Sequence, residues 1–134
     1  MLLINNDTDE ELELPDELLW EDELKWSPIV MSVAYSLTGA MLLQKGVKQG
    51  GRPITLVPPE ESMGWVPRSL VESLMGWAED PMVEMTLSFP HAPETTYNVI
   101  FRHSDKAIDA APIKGYPDHA PGAWMKLTLR LMEK

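Results

Sequence analysis

A chain of 134 residues with an apolar fraction of 44% is long enough for one hydrophobic core and too short for two. It holds no cysteine, which excludes a disulfide scaffold, a thiol nucleophile and any cysteine-ligated zinc site, and which agrees with a reducing compartment. The net charge of −10 is unevenly spread: residues 1–25 carry ten acids against Lys25, and the remainder carries eleven acids and ten bases.

That distribution argues against direct phosphate binding by the fold, because affinity for nucleic acid rests on clustered Lys and Arg. No apolar run approaches the roughly 20 residues of a membrane-spanning helix. The start, Met1–Asp7, lacks the basic region of a signal peptide. A soluble chain made in a cytoplasm, with no membrane insertion, is the expectation.

Residues 1–14 read as a flexible acidic N-terminal arm, with Leu12 and Leu14 too sparse to define a packed face. The acids at 7–23 leave two other readings open, docking on a basic partner and mimicry of DNA. From Pro15 the texture changes. Trp20, Leu24 and Trp26 stand among acids and fit an edge strand by alternation, whereas Leu19, Trp20 and Leu24 fit one helix face. Ser27-Pro28 breaks that element.

Val33, Tyr35 and Leu37 alternate with small polar residues, the period of a half-buried strand. Residues 29–37 are read as one strand and 40–46 as its continuation or its hairpin partner. A Gly-rich turn at 45–51 then leads into a strand at 52–57, so that 37–56 reads as a central hairpin. A helix starts near Pro67, with Leu70, Val71, Leu74, Met75 and Ala78 forming its stripe and Trp77 at the margin, and ends at Asp80-Pro81.

Met85, Leu87 and Phe89 alternate, as do Tyr97, Val99 and Phe101, giving a hairpin with a loop of about six residues. Residues 107–113, interrupted by Pro112, read as an edge strand, and 114–122 as a loop. In the last element, 124–132, Met125, Leu127, Leu129 and Leu131 share one face. Three strands, one helix and about four strands define a mostly β (α+β) domain over 15–134, a β-sandwich or small barrel with one helix packed on it.

Catalytic chemistry has little to rest on. His103-Ser104-Asp105 holds three reactive types, but sequence neighbours rarely converge as a triad, and turn capping by Ser104 and Asp105 explains the pattern. His91, His103 and His119 lack the spacing of a local metal pair. The acids at 7–13 lack the Asp-x-Asp-x-Asp-Gly order of a calcium loop. Gly50-Gly51-Arg52 is followed by no Gly-Lys-Ser/Thr and reads as a turn, not a phosphate loop. Five tryptophans and nine methionines exceed what one small core readily hides, and both types favour interfaces. Trp65 and Trp77 are assigned to the core. Trp20, Trp26, Gly50, Gly51 and Arg52 are the candidate subunit interface.

The order Leu19-Trp20, Trp26-Ser27-Pro28, Thr38-Gly39-Ala40, Gly51-Arg52-Pro53-Ile54-Thr55-Leu56, Trp65-Val66-Pro67-Arg68, Phe101-Arg102-His103 and Leu127–Glu133 resembles small tail proteins of tailed bacteriophages and prophages. Across 15–133 it is similar to the N-terminal ring domain of distal tail proteins. The resemblance implies a β-sandwich virion protein with no catalytic residues and no cofactor or metal. Such a protein would be a ring, likened to a hexamer, in the virion tail between the tail tube protein and the baseplate hub or tip proteins, with DNA only passing through its channel. The chain departs from that family in lacking a second, carbohydrate-module-like domain, and its acidic stretch before Pro15 has no counterpart. The alternatives are another tail or neck ring protein such as a terminator, a small hydrolase or metal enzyme using His103, Asp105 and His119, and an acidic DNA-mimic inhibitor.

Overall fold

The alternation at the C-terminus organises the fold. Met125, Leu127, Leu129 and Leu131 are all buried in a ten-residue strand, Trp124–Glu133. A computed structural model of the chain describes residues 1–116 and 119–134. The expected loop at 114–122 thus includes Pro117 and Asp118, which lie outside the described residues. In chain order the strands are β1 (Leu2–Asn5), β2 (Glu11–Glu13), β3 (Leu19–Trp20), β4 (Ile29–Tyr35), β5 (Met41–Val47), β6 (Pro53–Val57) and β7 (Trp65–Pro67). Helix α1 (Arg68–Ala78) follows, then β8 (Met85–Phe89), β9 (Ala92–Phe101), β10 (Ile108–Pro112) and β11 (Trp124–Glu133).

These form a mostly β fold with one helix against a large antiparallel sheet, in the order β2-β1-β8-β9-β11-β6-β3. Strand β11 is long enough to serve two neighbours along each edge. Its C-terminal half pairs with β9 on one side and β6 on the other, and its N-terminal half pairs with β10 and β7. Inward residues of β1, β6, β8, β9 and β11 meet α1 in one core, with Leu3, Ile54, Leu56, Leu74, Leu87, Val99 and Leu129 fully enclosed.

Several expectations are corrected. Residues 1–14 are not an arm: β1 pairs with both β2 and β8, and Met1, Leu3 and Leu14 are buried. Apolar residues at every second position of 1–5 reward pairing, and the acids that follow sit in the turn and on the edge strand β2, where water solvates them. The helix turns its Val71–Leu74–Trp77 side inward, leaving Met75 exposed. The Trp77 indole N–H donates to Glu10 Oε2 at 3.2 Å, which draws that large ring toward the β1–β2 turn. Strands β8 and β9 join through Pro90-His91 alone, a tighter turn than the six residues expected, with a bulge at Ser88/Phe89.

The largest difference concerns 37–56. Strand β5 pairs with β4, not with β6. Strand β6 instead leaves for the main sheet, between β11 and β3. The turn lies at Ser36–Ala40, where the Ser36 N–H donates to Ala40 O at 2.8 Å and the Gly39 N–H to Ser36 O at 3.0 Å. Gly39 has φ +83°, the left-handed conformation that glycine tolerates best. Ser36 Oγ accepts from the Ala40 N–H and bonds Thr38 Oγ1, so the turn is closed by its own side chains.

Candidate functional site

Strands β4 and β5 form a sheet of their own, and all fourteen of their residues are exposed. The register pairs Ile29 with Val47, Met31 with Lys45, Val33 with Leu43 and Tyr35 with Met41. Directly paired residues share a face. One face therefore carries Ile29, Met31, Val33, Tyr35, Met41, Leu43 and Val47 with a single charge, Lys45. The other carries Val30, Ser32, Ala34, Leu42, Gln44 and Gly46, smaller and more polar. Leu37 stands fully exposed at the tip. The hairpin is amphipathic and has nothing of its own chain over its apolar face.

Its base is anchored to the body. The Lys48 N–H donates to Pro28 O at 2.8 Å, and Lys48 Nζ lies 5.3 Å from the centre of the half-buried Trp26 ring. Next in the chain, Gly51 (φ +86°) donates its N–H to Glu133 O at 2.9 Å, and Arg52 O accepts from the Glu133 N–H. The 50–52 turn is thereby bound to the end of β11. Arg52 lays its guanidinium 4.6 Å from the Trp20 ring centre and donates to Glu23 O at 3.1 Å.

Trp20 corrects the expected interface. It is buried, stacked on Phe89 at 5.5 Å with planes 2° apart, edge-on to Tyr97, and its indole N–H donates to Pro53 O at 3.3 Å. A ring flanked by an aromatic partner and a guanidinium is a core residue of this chain, with little surface left for a neighbour. Of the five candidates, Trp26, Gly50, Gly51 and Arg52 gather at the foot of the hairpin, and Trp20 lies beneath Arg52.

Sequence reasoning missed a second surface. Trp65 and Trp124, both partly exposed, lie on the outer side of the β7–β11 pair, where Lys126 stands opposite Trp65. With Pro112, Ile113, Lys114 and Ala123 they line an almost wholly apolar depression of about 130 Å³. A second depression, of about 290 Å³, shares Trp65 and runs past Pro67 and Leu70 to Glu13–Asp16. Together they make a groove that is aromatic at one end and acidic at the other. The signal was parity: Trp124 is out of phase with Met125, Leu127 and Leu129, so it faces away from the core.

The remaining polar groups serve the fold. Asp22 accepts the Thr55 N–H at 2.9 Å and the Thr55 hydroxyl at 2.8 Å, and Arg102 Nη2 donates to Thr55 Oγ1 at 2.7 Å. Arg102 also pairs with Asp105 at 3.4 Å. Asp105 and His103 lie in a single 3-10 turn, His103 5.9 Å from the Phe101 ring, while His119 lies in an exposed loop. Among the described residues no three of His, Asp or Glu gather closely enough to hold a metal ion, and no helix is long and apolar enough to cross a membrane. Comparison of the chain with protein-family models, with curated proteins and with solved structures found no match.

Proposed function

We propose that this chain is a structural subunit of a phage tail, a ring protein at the distal end that links the tail tube to the baseplate or tip. The observation that supports this reading most is the β4–β5 hairpin, which carries large apolar side chains into solvent on a rigidly rooted base. Exposed apolar patches of this extent belong to interaction surfaces, and a subunit of a ring needs one on each copy. The resemblance across 15–133 supplies the setting, a hexameric ring in the virion tail with the tube protein and the hub or tip proteins as neighbours.

The test is position in the particle. Electron microscopy of the encoding phage or induced prophage, with an antibody against the chain, should place label at the distal end of the tail. Deleting the gene should yield particles whose tails lack a finished tip. Label at the neck would support the terminator reading instead, and normal, infective particles without the protein would end both.

A further inference from the structure

The apolar face of the hairpin needs a cover. A two-stranded hairpin alone is marginal in water, and this one exposes on the order of 800 Å² over its seven large apolar residues, about one partner's share of a standard interface. Its charge selects the kind of cover. Residues 24–59 contain Lys25, Lys45, Lys48 and Arg52 and no acid, whereas residues 1–23 contain ten acids and no Lys or Arg. Two hairpins packed face to face would set Lys45 against Lys45 with no carboxylate between them. The groove on the body meets both needs, with Trp65 and Trp124 at one end and Glu13 and Asp16 at the other.

We propose that the apolar face of the hairpin of one copy seats in the Trp65–Trp124 groove of a second copy, with Lys45 directed to its Glu13–Asp16 end. Tryptophan anchors in a partly enclosed pocket are the residues that carry most of an interface's free energy. Lys114 is the cation of the groove, at the aromatic end, where the uncharged segment Tyr35–Met41 approaches it. The contact uses two different surfaces, so it is head-to-tail, and every copy keeps one hairpin and one groove free for the next. Closure of that series into a ring rests on the tail-ring reading; the contact itself does not.

The experiment is a mixing test by sedimentation and light scattering. The wild-type chain should assemble at tens of micromolar, with Kd of about 1 µM or tighter. Tyr35→Asp, which spoils the hairpin face, and Trp124→Asp, which spoils the groove, should each be monomeric with unchanged circular dichroism and a cooperative melt. Mixed, they should form a one-to-one dimer that grows no further, because one intact hairpin meets one intact groove. Ala34→Asp, on the opposite hairpin face, should leave assembly within twofold of wild type. Lys45→Glu should weaken it about tenfold, and Glu13→Lys on the groove partner should restore it.

A monomeric wild type would overturn the proposal, as would folded variants that fail to pair when mixed, or a Trp124→Asp chain that still dimerises through its hairpin. Trp65→Ala repeats the groove test at a second position should Trp124→Asp not fold. The two readings fail separately. Head-to-tail assembly without tail label removes the phage function alone, and tail label on a chain that never self-associates removes this contact alone.

Discussion

Strand β11 and the β4–β5 hairpin carry the same period-two pattern with opposite outcomes. In β11 the apolar phase is sealed beneath the helix and the neighbouring strands, and Leu127, Leu129 and Leu131 are 0% exposed. In the hairpin an equally apolar phase meets water, from Val33 at 44% exposed to Tyr35 at 72%. Alternation thus decides which side chains share a face, and says nothing of what lies over that face. Where the chain provides the cover, the pattern makes a core. Where it does not, the same pattern makes an interaction surface.

The sharpest way to break this comparison is to truncate one leucine in each region. Leu129→Ala removes four heavy-atom contacts' worth of side chain from a sealed site and should cost roughly 3 kcal/mol in urea or thermal unfolding, since the cavity adds to the lost transfer energy. Leu43→Ala, measured in the Trp124→Asp background so that assembly does not contribute, should fall within about 0.5 kcal/mol of its parent. A loss above about 2 kcal/mol at Leu43 would mean the hairpin is packed on its own body, and the contrast would collapse.

How much of this was legible follows from the same physics. The inward phase of β11, the existence of the helix after Pro67 and the β8–β9 pair were readable because long apolar periodicity is local information. The pairing of β5 was not. Both β4 and β6 are apolar neighbours of β5 in sequence, and the choice turns on Gly39 adopting positive φ with Ser36 closing the turn, while β6 is claimed by β11 from 70 residues away. Strand β1 escaped because four residues are too few to show a period against the acids that follow. For the candidate site, Trp124 could have been found from its parity, but Trp65 could not, because the three-residue strand β7 has no pattern of its own. Trp20 was misread because acidic neighbours in sequence do not reveal a ring stacked on Phe89, 69 positions away.

Within the body, polar linkage should rank below apolar packing. Asp22→Ala leaves the Thr55 N–H, the Thr55 hydroxyl and the largely buried Arg102 short of an acceptor, and should cost about 2 kcal/mol by chemical denaturation. A neutral result would show that water replaces the carboxylate. Trp77→Phe keeps most of the buried ring but removes the hydrogen bond to Glu10, for an expected loss of about 1 kcal/mol. Glu10→Gln, which retains an acceptor, should lose less than Trp77→Phe when both are melted side by side.

The smallest effect on global stability should come from Gly39, and there the comparison is sharpest. A Cβ added at Gly39 would meet nothing within 4 Å, so Gly39→Ala brings no clash with the rest of the molecule. Its whole cost is the left-handed backbone, about 1 kcal/mol, and that cost falls on the turn alone. If the hairpin opens independently of the main sheet, amide exchange across residues 29–47 should speed up about fivefold, while the slowest amides of β11 and the unfolding midpoint stay where they were. If the β11 amides and the midpoint shift with the hairpin, the two regions unfold as one, and the apolar face of the hairpin is held by the body rather than left for a neighbour.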